Sequence, residues 1–165
     1  VGISALTIHA RTRSQMYKGH SDWSYIAKVK NNPRIHIPIF GNGDIDSPEK
    51  ALEYRNTYGV DGIMIGRAAI GYPWIFNEIK HYFATGELLP SPTISDRVEA
   101  AKNHLLWSVE WKGERQGVLE MRRHYANYFK GIPNFKEHRQ RLVTLDSSEE
   151  IIKELEVVRE LKSEV

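Results

Sequence analysis

Two hydrophobic rhythms divide the chain. In the first half, short apolar runs alternate with stretches whose apolar residues recur every three or four positions. Ala5-Leu6-Thr7-Ile8 reads as a buried strand, and residues 22–31, after a polar loop, as an amphipathic helix with Ser21 as its N-cap. Residues 35–40 make a second predicted strand, in which Pro38 suits an edge or a strand end. Ser47-Pro48 sets a capping residue before a proline at the first helical position, predicting a helix to Tyr58 that Gly59 closes. Residues 61–65 read as a third strand, followed by a glycine-containing turn and a helix over 73–83. Gly86 and two prolines within 85–93 then mark a linker. Beyond it nothing reads as strand. Helices are predicted over 95–115 with Ser95 as cap, over 117–130 and over 134–143. Ser147-Ser148-Glu149-Glu150 has capping-box spacing before a last helix that should end near Lys162.

Three consecutive strand–helix units indicate a parallel α/β sheet, a pattern that a doubly wound sheet and a (β/α)8 barrel both satisfy. A whole barrel takes ~250 residues, so on the barrel reading the chain carries its last three βα units, followed by an all-α helical domain. The expected division is 1–83 for the barrel part, 84–95 for the linker and 96–165 for the helices.

Composition narrows the classes. The 165 residues are 41% hydrophobic and 27% charged, which suits one or two small folded domains. No run approaches the ~18 apolar residues of a membrane-spanning helix, no signal peptide opens the chain, and no membrane partner is expected. With no cysteine there is no disulfide and no thiolate nucleophile. The seven histidines show no metal-binding spacing, so no metal site is expected.

Candidate chemistry gathers at the strand ends. Phe40-Gly41-Asn42-Gly43-Asp44-Ile45 follows the second strand, and Ile65-Gly66-Arg67-Ala68-Ala69 follows the third. Ligands of parallel α/β folds bind at the carboxyl ends of strands, and the last two βα loops of a barrel frequently hold phosphate. Glycines there admit an anion to backbone N–H groups, and Arg67 adds a cationic donor; two ordinary turns would also need glycine. The first strand leads into His9, Arg11, Arg13 and Lys18, a basic loop on the same side. Net charge is only +2, but residues 121–141 carry six Lys or Arg against the single acid Glu137. Such a strip can hold nucleic-acid phosphates, or it can be a solvated face. Tyr125, Tyr128, Phe129 and Phe135 within it have helical spacing and are assigned to a bundle core.

The segments Leu6-Thr7-Ile8-His9-Ala10-Arg11-Thr12-Arg13-Ser14-Gln15-Met16-Tyr17-Lys18-Gly19, Ile37-Pro38-Ile39-Phe40-Gly41-Asn42-Gly43-Asp44-Ile45 and Asp61-Gly62-Ile63-Met64-Ile65-Gly66-Arg67-Ala68-Ala69-Ile70-Gly71-Tyr72-Pro73-Trp74 resemble the tRNA-dihydrouridine synthases, most of all the bacterial DusB-type branch. The resemblance implies an oxidoreductase that uses FMN, with NADPH as reductant, to saturate the uracil double bond in tRNA. It implies that Asn42, Gly43, Asp44, Gly66 and Arg67 hold the phosphate end of FMN and that His9 contacts the flavin. Arg11 and Arg13 would lie near the substrate opening, and Arg122, Arg123, Lys130 and Arg139 would meet tRNA on the helical domain. The family's catalytic cysteine and its earlier flavin-contacting strands have no counterpart here. The chain is therefore expected to be a C-terminal fragment beginning at the sixth strand, partnered by the N-terminal part of the same barrel, and inactive alone. A cytoplasmic location follows from the tRNA substrate. Another FMN-binding barrel of the dihydroorotate dehydrogenase type, a non-catalytic RNA-binding module and an inactive remnant are the alternatives.

Overall fold

A computed structural model of the chain describes residues 2–16 and 18–161, so Tyr17 and Lys162 of the sequence reading lie outside the described residues. The described residues form two compact units. One runs to Ala69 and resumes over Pro73–Leu89; the other joins Ile70–Tyr72 to the residues from Pro90 onward.

The first unit is built from β1 (Leu6–His9), α1 (Ser24–Lys30), β2 (Ile39–Asn42), α2 (Pro48–Tyr58), β3 (Gly62–Met64) and α3 (Ile75–Thr85). The strands are parallel in the order β1-β2-β3, the arrangement of three consecutive βα units of a barrel. β2 is therefore central, and it begins after Pro38 rather than before it. Proline has no N–H for the ladder, so it stays at the strand entrance, where its carbonyl accepts from the Leu6 N–H at 3.0 Å. Gly41 and Asn42, read from the sequence as turn, belong to the strand.

The helix starts show which local signals prevailed. Ser47 caps α2 as expected, its hydroxyl accepting from the Lys50 N–H at 3.2 Å, and Gly59 closes that helix. Ser21 does not cap α1. Its N–H is taken by the Asp44 carboxylate at 2.8 Å, and α1 starts only at Ser24, whose N–H goes to Asp22 at 2.9 Å. The helix expected over 73–83 runs two residues later at each end, and Gly86 is its C-cap.

The second unit contains α4 (Ile94–Lys112), α5 (Glu114–Tyr128), α6 (Phe135–Thr144) and α7 (Ser148–Arg159) and no strand among the described residues. Thr93, not Ser95, caps α4. Its hydroxyl accepts from the Asp96 N–H at 3.1 Å while the Asp96 carboxylate accepts from the Thr93 N–H at 2.8 Å, a reciprocal box. Ser147 is the N-cap of α7 but makes no side-chain cap bond, so the expected box does not form; the Ser148 N–H and hydroxyl both go to Glu114 on α5. α4 and α5 pack closely at Gly117, where an added Cβ would stand 2.7 Å from the Val109 Cα. Val98, Leu105, Met121, Tyr125, Phe129, Leu142, Ile151 and Leu155 fill the core between the helices. No helix among the described residues is long and apolar enough to cross a membrane.

Candidate functional site

The parallel register brings three carboxyl strand ends level: His9 lies beside Asn42, and Asn42 beside Met64. The Asn42 side-chain amide donates to the Met64 carbonyl at 2.7 Å, tying two of these ends together. Immediately beyond them is a cavity of about 680 Å3. His9, Arg11, Asn42, Gly43, Asp44, Gly66 and Arg67 all line it, so seven residues chosen from three separate sequence segments meet at one place.

Trp23 supports the floor. Its indole N–H donates to the Gly43 carbonyl at 3.0 Å, and its ring occupies the position that any side chain at residue 41 would need. Tyr54 and Tyr58 of α2 pack on the same ring at centroid distances of 5.0 and 5.5 Å. Gly43 itself has φ of 138°, a conformation that L side chains rarely adopt, so glycine is required there by the backbone.

Asp44 organises the charges. One carboxylate oxygen accepts from Arg11 at 2.5 Å and from the Ser21 N–H at 2.8 Å; the other accepts from Arg67 at 2.7 Å. Burial pushes the Asp44 pKa up, but the hydrogen bonds from Arg11 and Ser21, with the Arg11 charge, outweigh it and hold the carboxyl at about 2. Arg11 also donates to the carbonyls of Lys18 and Gly19, both at 2.7 Å, which folds the loop after β1 around it. Only 4% of the Arg11 side chain is exposed, against 55% of Arg67, so the two arginines that share Asp44 face different surroundings.

The cavity presents groups able to meet an anion. Arg67 brings an accessible guanidinium to its wall. Gly66 has neither a positive φ nor a packing neighbour that excludes a Cβ, so neither backbone conformation nor packing requires glycine there. Gly19, His20, Ile45, Asp46, Lys50, Met64 and Ala68 complete the lining; none was named from the sequence as a site residue, although Ile45 and Ala68 stand in the two turn segments. Lys50 was within reach of sequence reasoning, standing in the first turn of a helix that follows a strand end; Met64 needed the strand register. His9 also borders a second cavity of about 470 Å3 between β1 and α1, lined further by Thr12, Gln15, Asp22 and Tyr25. Arg13 is exposed on the loop after β1 and lines neither cavity.

In the helical unit, Tyr125, Tyr128, Phe129 and Phe135 are buried in the core. The basic residues separate into two groups. Arg122 is half-buried and donates to Asp146 at 2.7 Å and to the Leu145 carbonyl at 3.2 Å. Arg123, Lys130 and Arg139 are exposed, and no carboxylate pairs with them among the described residues. No group of three His, Asp or Glu side chains forms a metal-binding cluster among the described residues.

Comparison with known proteins gives the family. The chain is 43% identical over 148 residues to the tRNA-dihydrouridine synthase B of Pseudomonas putida, an alignment covering 90% of the chain and 43% of that protein. It is 44% identical over 138 residues to the protein of that name from Xanthomonas campestris, covering 84% and 41% respectively. The chain thus spans less than half the length of these relatives. The family described as dihydrouridine synthase (Dus) matches residues 1–164, and the chain belongs to the dihydrouridine synthase family.

Proposed function

We propose that this chain forms the phosphate-holding side of the FMN pocket of a tRNA-dihydrouridine synthase, together with helices that bind tRNA. The convergence of His9, Asn42, Gly43, Gly66 and Arg67 on one cavity at the strand ends carries this reading. In it, Arg67 and the backbone at Gly43 and Gly66 receive the phosphate, while His9 at the end of β1 faces the flavin. Bound FMN, reduced by NADPH, supplies the hydride that saturates the uracil double bond. A uridine in folded tRNA must leave its stack to reach such a pocket, so the protein must also grip the surrounding RNA. Arg123, Lys130 and Arg139 are the exposed cations for that contact, with Arg13 near the opening, and Arg122 holds the helices that present them. The remaining strands of the barrel are the partner of the two open sheet edges, and the cytoplasm, where tRNA is found, is the place of action.

The reading is tested by incubating unmodified tRNA with FMN, NADPH and the longest polypeptide that carries this sequence, then digesting the RNA and measuring dihydrouridine. Dihydrouridine formation is expected, and its absence from every tRNA offered would overturn the assignment. The 165-residue chain, which contains no cysteine to protonate the reduced ring, is expected to form none.

A further inference from the structure

The chemistry of Asp44 is at odds with a simple anion site. It is a carboxylate in the wall of a cavity assigned to phosphate, and 16% of its side chain is exposed. Its oxygens are divided between neighbours from the other two strand-end loops: Arg11 and the Ser21 N–H from the loop after β1, and Arg67 from the turn after β3. Asp44 itself leaves β2 in the left-handed conformation, with φ of 56°, a backbone state aspartate tolerates better than most residues. One side chain thereby links three consecutive loops.

On the FMN-phosphate reading, we propose that Asp44 is a positioning residue: its carboxylate holds Arg11 and Arg67 in place and touches no ligand itself. Arg11 is enclosed, and its terminal nitrogens serve the Lys18 and Gly19 carbonyls as well as Asp44, so it closes the loop after β1. Arg67 is the more exposed member, and the short bond to Asp44 restricts a side chain that would otherwise sample many rotamers. A guanidinium fixed in advance loses less entropy when an anion arrives. The alternative view of Asp44 is purely repulsive: a negative charge beside a phosphate weakens binding, and removing it strengthens binding. The two views differ in sign, which makes the residue decisive.

The test uses Asp44→Asn in the longest polypeptide that carries this sequence, with Kd for FMN and for riboflavin, which lacks the phosphate, read from quenching of flavin fluorescence. The expected result is an FMN Kd raised about tenfold with the riboflavin Kd unchanged, since one charge-assisted anchor of Arg67 is lost. Asp44→Glu, which keeps the charge on a longer arm, should recover part of the preference for FMN. If Asp44→Asn binds FMN as tightly as the wild type or more tightly, the positioning role is overturned. If both flavins weaken by the same factor, Asp44 supports only the fold and the proposal also fails. A wild type that does not distinguish FMN from riboflavin refutes the phosphate reading itself, and this proposal with it.

Discussion

The ring of Trp23 occupies the place where Gly41 would carry a side chain, an added Cβ standing 2.0 Å from its Cζ3. The relationship links a residue ahead of α1 to the middle of the central strand, and through Trp23 and Gly43 it sets the floor of the cavity. Gly41→Ala should therefore lower stability by about 1–3 kcal/mol through overpacking, read as a fall in urea midpoint. Trp23→Ala should cost more, about 3–5 kcal/mol, because it empties a fully buried site. Pairing Gly41→Ala with Trp23→Phe should recover part of the loss, since the smaller ring makes room.

Asp44 also sets a dependence on acid. Its folded pKa of about 2 lies below the ordinary value of 3.8, so the stability it contributes is complete above pH 3.8. That contribution is lost as pH falls through the folded value. Its size is on the order of 1–2 kcal/mol. Denaturation followed between pH 4.5 and 2 should show a smaller loss in Asp44→Asn than in the wild type, the remainder coming from other carboxylates with lowered pKa values such as Asp61 and Asp96.

The helical unit responds to acid at higher pH. Burial, with the charges of Lys112 and Arg123, pushes the His104 pKa below its ordinary 6.5; burial, His104 and Arg123 do the same for His124. The rings lie 4.9 Å apart, and His104 shares a 3.1 Å hydrogen bond with the Tyr128 hydroxyl. The folded state favours neutral imidazoles, so their contribution is complete above 6.5 and declines as pH falls through the lowered values. Thermal unfolding should be earlier at about pH 5.5 than at about pH 7.5, and His104→Gln should reduce the difference.

Arginines adjacent in sequence should separate by phenotype. Arg122→Ala should lower stability by about 0.5–1.5 kcal/mol, because it removes the donor to the half-buried Leu145 carbonyl, the pair with exposed Asp146 adding little. Arg123→Ala, Lys130→Ala and Arg139→Ala should leave the melting temperature within a degree or two and weaken tRNA binding instead. Each should reduce the slope of log affinity against log salt by about 0.7 to 0.9 if it contacts a phosphate. An unchanged slope in all three would remove this face from the RNA contact.

Much of the architecture was legible because it depends on local order. The alternation of apolar runs with helical spacing identified three βα units and four later helices, and Ser47-Pro48 with Gly59 bounded α2 correctly. Hydrophobic period and capping chemistry act over a few residues, and a few residues of sequence reveal them. The same locality explains the failures. Ser21 had the chemistry of a cap, but its N–H is taken by Asp44 from another loop and α1 starts later; Ser147 does precede α7 as expected, but without its box, and the Ser148 N–H goes to Glu114.

The sequence by itself determined which residue types stand at the strand ends: glycines that open the backbone, a histidine and two arginines. Only the tertiary structure decided their division of labour. Arg11 and Arg67 look alike in sequence, yet one is enclosed by its own loop and the other faces the cavity, because the parallel register brings Asp44 between them. Trp23 beneath Gly41, and Arg122 joined to Asp146, were likewise decided by contacts across 18 and 24 positions of chain. A side chain's role depends on what folding sets beside it, and over such separations a single sequence carries no periodic signal of its neighbours.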